Sequence, residues 1–69
     1  MMQKYRVGDE ITVTVDRVGL SEGEGIAHLP DETMVVIPGA DGLVGKTIQA
    51  VITNVLQTSL GDSLMASLK

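Results

Sequence analysis

Histidine and paired carboxylates carry much of biological acid–base chemistry. This 69-residue chain has one histidine, His28, and a pair of carboxylates that flank a glycine, Glu22 and Glu24. General acid–base or nucleophilic catalysis needs a partner within hydrogen-bond reach of each reacting group. No cysteine, second histidine or acidic cluster at metal-ligand spacing accompanies His28, so it reads as a surface or satisfied strand histidine. Glu22 and Glu24 flank a glycine and read as solvated loop charges. Gly23-Glu24-Gly25 also fails as a phosphate cradle. It sets a carboxylate where a phosphate would sit, and neither a Gly-Lys-Ser/Thr sequence nor a helix follows it. The expectation is a chain with no catalytic residue, no metal site and no cofactor, which is to say no enzyme.

The elements that position these residues are strands. Glu10-Ile11-Thr12-Val13-Thr14-Val15-Asp16-Arg17 alternates strictly, with Ile11, Val13 and Val15 on one face, and β-branched residues at period two mark a half-buried strand. Ser21-Glu22-Gly23-Glu24-Gly25-Ile26-Ala27 places two glycines at the mouth of the next segment, which predicts a reversal followed by a bulge or tight bend. A short second strand over 26–29 stops at Pro30-Asp31-Glu32-Thr33, whose Pro and Asp favour a turn. Met34-Val35-Val36-Ile37 is apolar on both faces, which asks for a core on one side and a loop or partner on the other, and Pro38 should end it. Residues 38–46 hold three glycines and no helical stripe, and read as a long connection. The longest strand spans 46–56. Its inward set (Ile48, Ala50, Ile52) shifts phase at Asn54, as a bulge would make it do. Ser59-Leu60-Gly61-Asp62 supplies a turn with Gly61-Asp62 at its tip, and 63–68 closes the sheet. Five strands of this kind predict a small closed antiparallel barrel with Ile11, Val13, Val15, Ile26, Val36, Ile48, Ile52 and Leu64 in its core. Closure removes the sheet edges that an aliphatic sheet this short could not safely leave open.

Composition limits the partners. A chain this short is one small domain that buries only about 60% of its unfolded surface. There is no cysteine, hence no disulfide framework or thiolate site, and this fits a reducing cytoplasm. The longest apolar run has strand length, far below a membrane span, so no direct membrane insertion is expected. Any anchor of a longer parent lies outside this piece. Nine acids against five bases give a net charge of −4, so the chain as a whole repels phosphate. Lys4 and Arg6, either side of Tyr5, form the densest basic patch, in an N-terminal arm or linker over residues 1–5 with its border at Arg6.

The order of motifs carries a resemblance. Val7-Gly8-Asp9-Glu10, then Gly23-Glu24-Gly25, then Met34 through Ala40 and Gly42-Leu43-Val44-Gly45-Lys46 resembles the TRAM domain, a small OB-like β-barrel appended to tRNA- and rRNA-modifying enzymes and to PIN-type nucleases. It covers about 5–68. The stretch Thr53-Asn54-Val55-Leu56-Gln57-Thr58-Ser59 looks most like the version that follows a PIN domain in bacterial membrane-anchored proteins. The resemblance implies a TRAM barrel over 6–69 and an accessory role. The domain would hold RNA weakly (tRNA, rRNA or mRNA) for a linked or partner PIN nuclease or RNA-modifying domain. It also implies an RNA face on the central strands and two loops, drawing on Arg17, His28, Gln57, Thr58 and Ser59, with Lys46 nearby and Lys4 and Arg6 in the arm. Stacking aromatics are missing from every strand. The alternative is a protein-interaction or self-association module with little RNA affinity, which buries one face of the two-sided strand 34–37 against another domain or, as a homo-oligomer, against a copy of itself.

Overall fold

The computed structural model describes residues 5–59 and 61–69. Five strands, β1 (Glu10–Val18), β2 (Glu24–His28), β3 (Met34–Pro38), β4 (Thr47–Thr58) and β5 (Gly61–Leu68), close into a barrel in the order β1-β2-β3-β5-β4. The connection between β3 and β4 holds one 3₁₀ turn, Asp41–Leu43, and no α-helix. All neighbours run antiparallel except β3 and β5, which are parallel through Met34↔Ser63, Val35↔Leu64 and Val36↔Met65. The expectation of a wholly antiparallel barrel is corrected here on a point of parity. Directions cannot alternate around a ring with an odd number of strands, so one pair at least must run parallel.

The interior is aliphatic. Val13 and Val15 of β1, Val35 and Ile37 of β3, Ile52 of β4 and Leu64 of β5 fill it, with Ala27, Ala50 and Ala66 where the strands crowd. Four of the residues predicted for the core (Val13, Val15, Ile52, Leu64) are there, while Ile11 and Ile48 are half-buried against it. Ile26 is buried as well, at 8% exposure, but from the outer face of the sheet, and Val36 is half-buried on that same face. β2 starts at Glu24, so Gly25 and Ala27 take the inward phase and leave Ile26 outward. Across the ladder Ile26 pairs with Val36, and Val35 pairs with Leu64, so β3 turns Val35 and Ile37 inward and Val36 outward.

Two bulges bend the barrel. In β4 the register slips between Ile52 and Asn54, where the phase shift in the sequence predicts it, and the Thr53 hydroxyl donates to the Met65 carbonyl at 3.2 Å. In β1 it slips between Val15 and Arg17. At the start of β2, Gly23 has φ +84° and its carbonyl accepts the Gly39 amide at 2.6 Å. An ideal Cβ on Gly25 would lie 2.8 Å from both Cβ and O of Ala40. Gly61 and Asp62 pair with Thr58 and Gln57 within the β4–β5 hairpin. They belong to β5 and do not form the tip of the turn. Residues 5–9 are pinned to the barrel. Gly8 donates to the Ile52 carbonyl, Ile52 donates to the Asp9 carbonyl, and the Tyr5 hydroxyl reaches the Asp31 carboxylate at 3.1 Å.

Candidate functional site

The β1 bulge decides where Arg17 points. With Val13 and Val15 facing inward, strict alternation would drive the guanidinium of Arg17 into the aliphatic core, at a large desolvation cost. The extra residue at the bulge re-aims it, so that Arg17 pairs with Ile26 and faces outward. Arg17 then borders an open groove of about 510 Å³ on the outer surface of β2 and β3. The floor is Ile26, Met34 and Val36, the wall is Val18, Gly19, Leu20 and Ser21, and Glu24 lies along it. This outer apolar layer accounts for the two-sided character of the Met34–Ile37 run: one face packs the core and the other lines the groove.

Arg17, His28 and Lys46 gather around the second half of β1. Along β2, His28 stands two residues from Ile26, roughly 7 Å at strand rise. The amide of Val15 donates to the Lys46 carbonyl at 3.0 Å, which fixes Lys46 beside the opposite edge of β1. The other predicted site residues lie elsewhere. Gln57 and Ser59 belong to the β4–β5 hairpin, beyond the stretch of β4 (47–51) that pairs with β1. Arg6 sits at the opposite end of β1, where its amide donates to the Asp9 carboxylate at 3.1 Å. Lys4 lies outside the described residues, and the side chain of Thr58 is not described.

Charge is unevenly available. Lys69 is paired with Glu10 at 2.6 Å. Asp16 lies 2.7 Å from His28 Nδ1, and since an ionised carboxylate can only accept, His28 donates there. That geometry spends one ring nitrogen on Asp16 and puts a negative charge beside the imidazole. The side chains of Arg17 and Lys46 make no ion pair or side-chain hydrogen bond among the described residues. No group of three or more metal-ligating side chains is present among the described residues. The reading of the sequence missed the groove-lining residues Leu20 and Glu24. Ile26 and Val36, given to the core, also line it. The double-faced β3 was the available signal for the groove, and nothing in the sequence marked the bulge that forms its edge.

A closed five-stranded barrel, a glycine pair at the mouth of β2 and a glycine-rich β3–β4 connection now stand beside a family model, TRAM domain, that matches residues 4–61. The chain belongs to the TRAM domain family. It is 37% identical over 62 residues to the PIN and TRAM-domain containing protein YacL of Bacillus subtilis, and 34% identical over 62 residues to a PIN and TRAM-domain containing protein of Synechocystis. Each alignment covers 90% of this chain and 17% of the relative, so the chain spans about a sixth of the length of these proteins. A Thermus thermophilus protein is 32% identical over 63 residues, covering 91% of this chain and 68% of that protein. No solved structure matches significantly. No helix among the described residues of this TRAM domain is long and apolar enough to cross a membrane.

Proposed function

We propose that this TRAM domain is a non-catalytic RNA-holding module, working in the cytoplasm for a linked or partner RNA-processing or RNA-modifying domain. The observation that carries the reading is Arg17: a guanidinium with no side-chain partner among the described residues, turned outward by a bulge, at the edge of a groove on the barrel face. Family membership supports it, as do the relatives whose names join TRAM to PIN. Arg17 and Lys46 hold phosphates, while hydroxyls and backbone amides around the β1–β2 loop supply neutral contacts. Without an aromatic in the strands, base stacking worth roughly 1–3 kcal/mol per base is missing. Affinity for the isolated domain then falls near the non-specific range of about 10⁻⁴–10⁻⁶ M. The test is titration of a labelled RNA with the wild type, Arg17→Ala and Lys46→Ala. Uniform weakening across RNA sequences supports the reading, and unchanged binding in both variants defeats it.

One observation favours a second reading, self-association. Leu20 is 106% exposed at the rim of an apolar groove. A mass that rises with concentration, and falls back in Leu20→Ser, is the result that would establish it.

A further inference from the structure

Glu24 sits oddly in an RNA site. It is half-buried in the groove, and its carboxylate has no hydrogen-bond or ion-pair partner among the described residues. It is also held firmly. Its amide donates to the Ser21 carbonyl at 3.3 Å and its own carbonyl accepts from Gly19 at 2.7 Å. On either side, Gly23 accepts from the Gly39 amide and Gly25 packs against Ala40. The Gly23-Glu24-Gly25 motif thus fixes the backbone of an acceptor-only group at the end of an apolar slot.

A carboxylate here opposes a phosphate, so the groove cannot be part of a continuous phosphate track. It suits a neutral planar group whose edge donates hydrogen bonds. Resting on the RNA reading above, we propose that the groove takes one unstacked nucleobase of single-stranded RNA, and that Glu24 selects guanine. The floor of Ile26, Met34 and Val36 meets the flat face of the base. Aliphatic and aromatic side chains both serve bases taken out of the stack. The guanine Watson–Crick edge presents N1–H and N2–H side by side, matching the two carboxylate oxygens. Adenine and cytosine offer one amino group beside an acceptor nitrogen, and uracil offers one N–H between two carbonyls. Arg17, one outward pair along β2 from Glu24 and so roughly 7 Å away, faces the adjoining phosphate. Duplex RNA keeps its bases stacked and cannot enter.

The experiment measures anisotropy of labelled octauridylates carrying one central guanosine, inosine, adenosine or uridine. The titrants are wild type, Glu24→Gln and Arg17→Ala, each checked for a native circular dichroism spectrum. A bidentate contact of this kind discriminates by about fivefold to a hundredfold. The expected result is guanosine tightest by fivefold or more, and inosine, which lacks the N2 amine, in between. Glu24→Gln is expected to bring the guanosine oligomer to the uridine level, while Arg17→Ala weakens all four together. Equal affinity for all four oligomers, with Arg17→Ala still weakening them, overturns the guanine site and leaves the RNA reading standing. A Glu24→Gln variant that binds all four equally more tightly overturns it too, because the carboxylate would then only repel. No binding by the wild type to any oligomer removes both readings.

Discussion

Gly23 and Gly25 stand one residue apart and resist substitution for different reasons. Gly23 has φ +84° with open space around its ideal Cβ, so Gly23→Ala carries the left-handed backbone penalty of about 1–2 kcal/mol. Gly23→Asn should cost less, since Asn visits that region more readily. Gly25 has an ordinary φ, but its Cβ would meet backbone and side chain of Ala40 at 2.8 Å, an overpacking cost of typically 1–3 kcal/mol. Asn is the worse choice there because it is larger. Denaturant midpoints of the four variants should therefore rank in opposite senses at the two sites, and the same order at both would show that one mechanism governs them. Asp16 gives a second test at this scale. Its pair with His28 is partly exposed, at 47% and 34%, and such pairs contribute about 0–1 kcal/mol. Asp16→Asn should leave the denaturant midpoint nearly unmoved while tightening RNA binding, because it removes a negative charge next to Arg17. Weaker RNA binding in a stable Asp16→Asn variant would mean that Asp16 itself makes a useful contact.

The strands differ in how plainly their sequences announce them. β1 alternates with β-branched residues and was legible through Val15, and the bulge in β4 showed because a hydrophobic series changed phase across Thr53. The β1 bulge did not show, since Asp16-Arg17-Val18 contains no apolar series whose phase could slip. β2 misled for a matter of size: Ala27 is the residue that faces the interior, and Ile26, the larger, is buried from the outer face. Only the ladder settles such a case, because Ile26 pairs with Val36, outward in β3. The candidate site was half legible for the same reason. Arg17 and Lys46 could be named from the sequence, but the groove between Arg17 and Glu24 exists only once β2 and β3 are in phase. β3 provides the test. Ile37 is fully buried, so Ile37→Ala should cost about 2–5 kcal/mol, a large part of the roughly 3–10 kcal/mol a chain this size holds. Val36→Ala, on the other face, should cost clearly less and weaken RNA binding instead. Equal destabilisation by the two substitutions would contradict the assigned phase of β3.

At the scale of the whole molecule, a net charge of −4 sets a low ceiling on RNA affinity. A domain that binds at about 10⁻⁴ M is nearly empty at cellular RNA concentrations when alone, yet a tether changes this. Short flexible linkers give effective concentrations around millimolar, so in a longer chain whose other domain already holds the RNA, the barrel is occupied and tightens the whole complex about tenfold. Excising it from such a chain should raise KM for RNA by that factor and leave kcat unchanged, as the RNA-holding role proposed above requires. The ionic strength then tells a phosphate contact from a structural one. Two cations, Arg17 and Lys46, each add about 0.7 to the slope of log affinity against log salt for a single strand. Going from 50 to 200 mM salt multiplies concentration by four and should shrink the benefit of the barrel about sevenfold, so that intact and truncated chains nearly converge. A KM difference that persists undiminished at high salt would place the contribution of the barrel outside phosphate binding. A fall in kcat on excision, with KM unchanged, would mean that the barrel shapes its neighbour's active site.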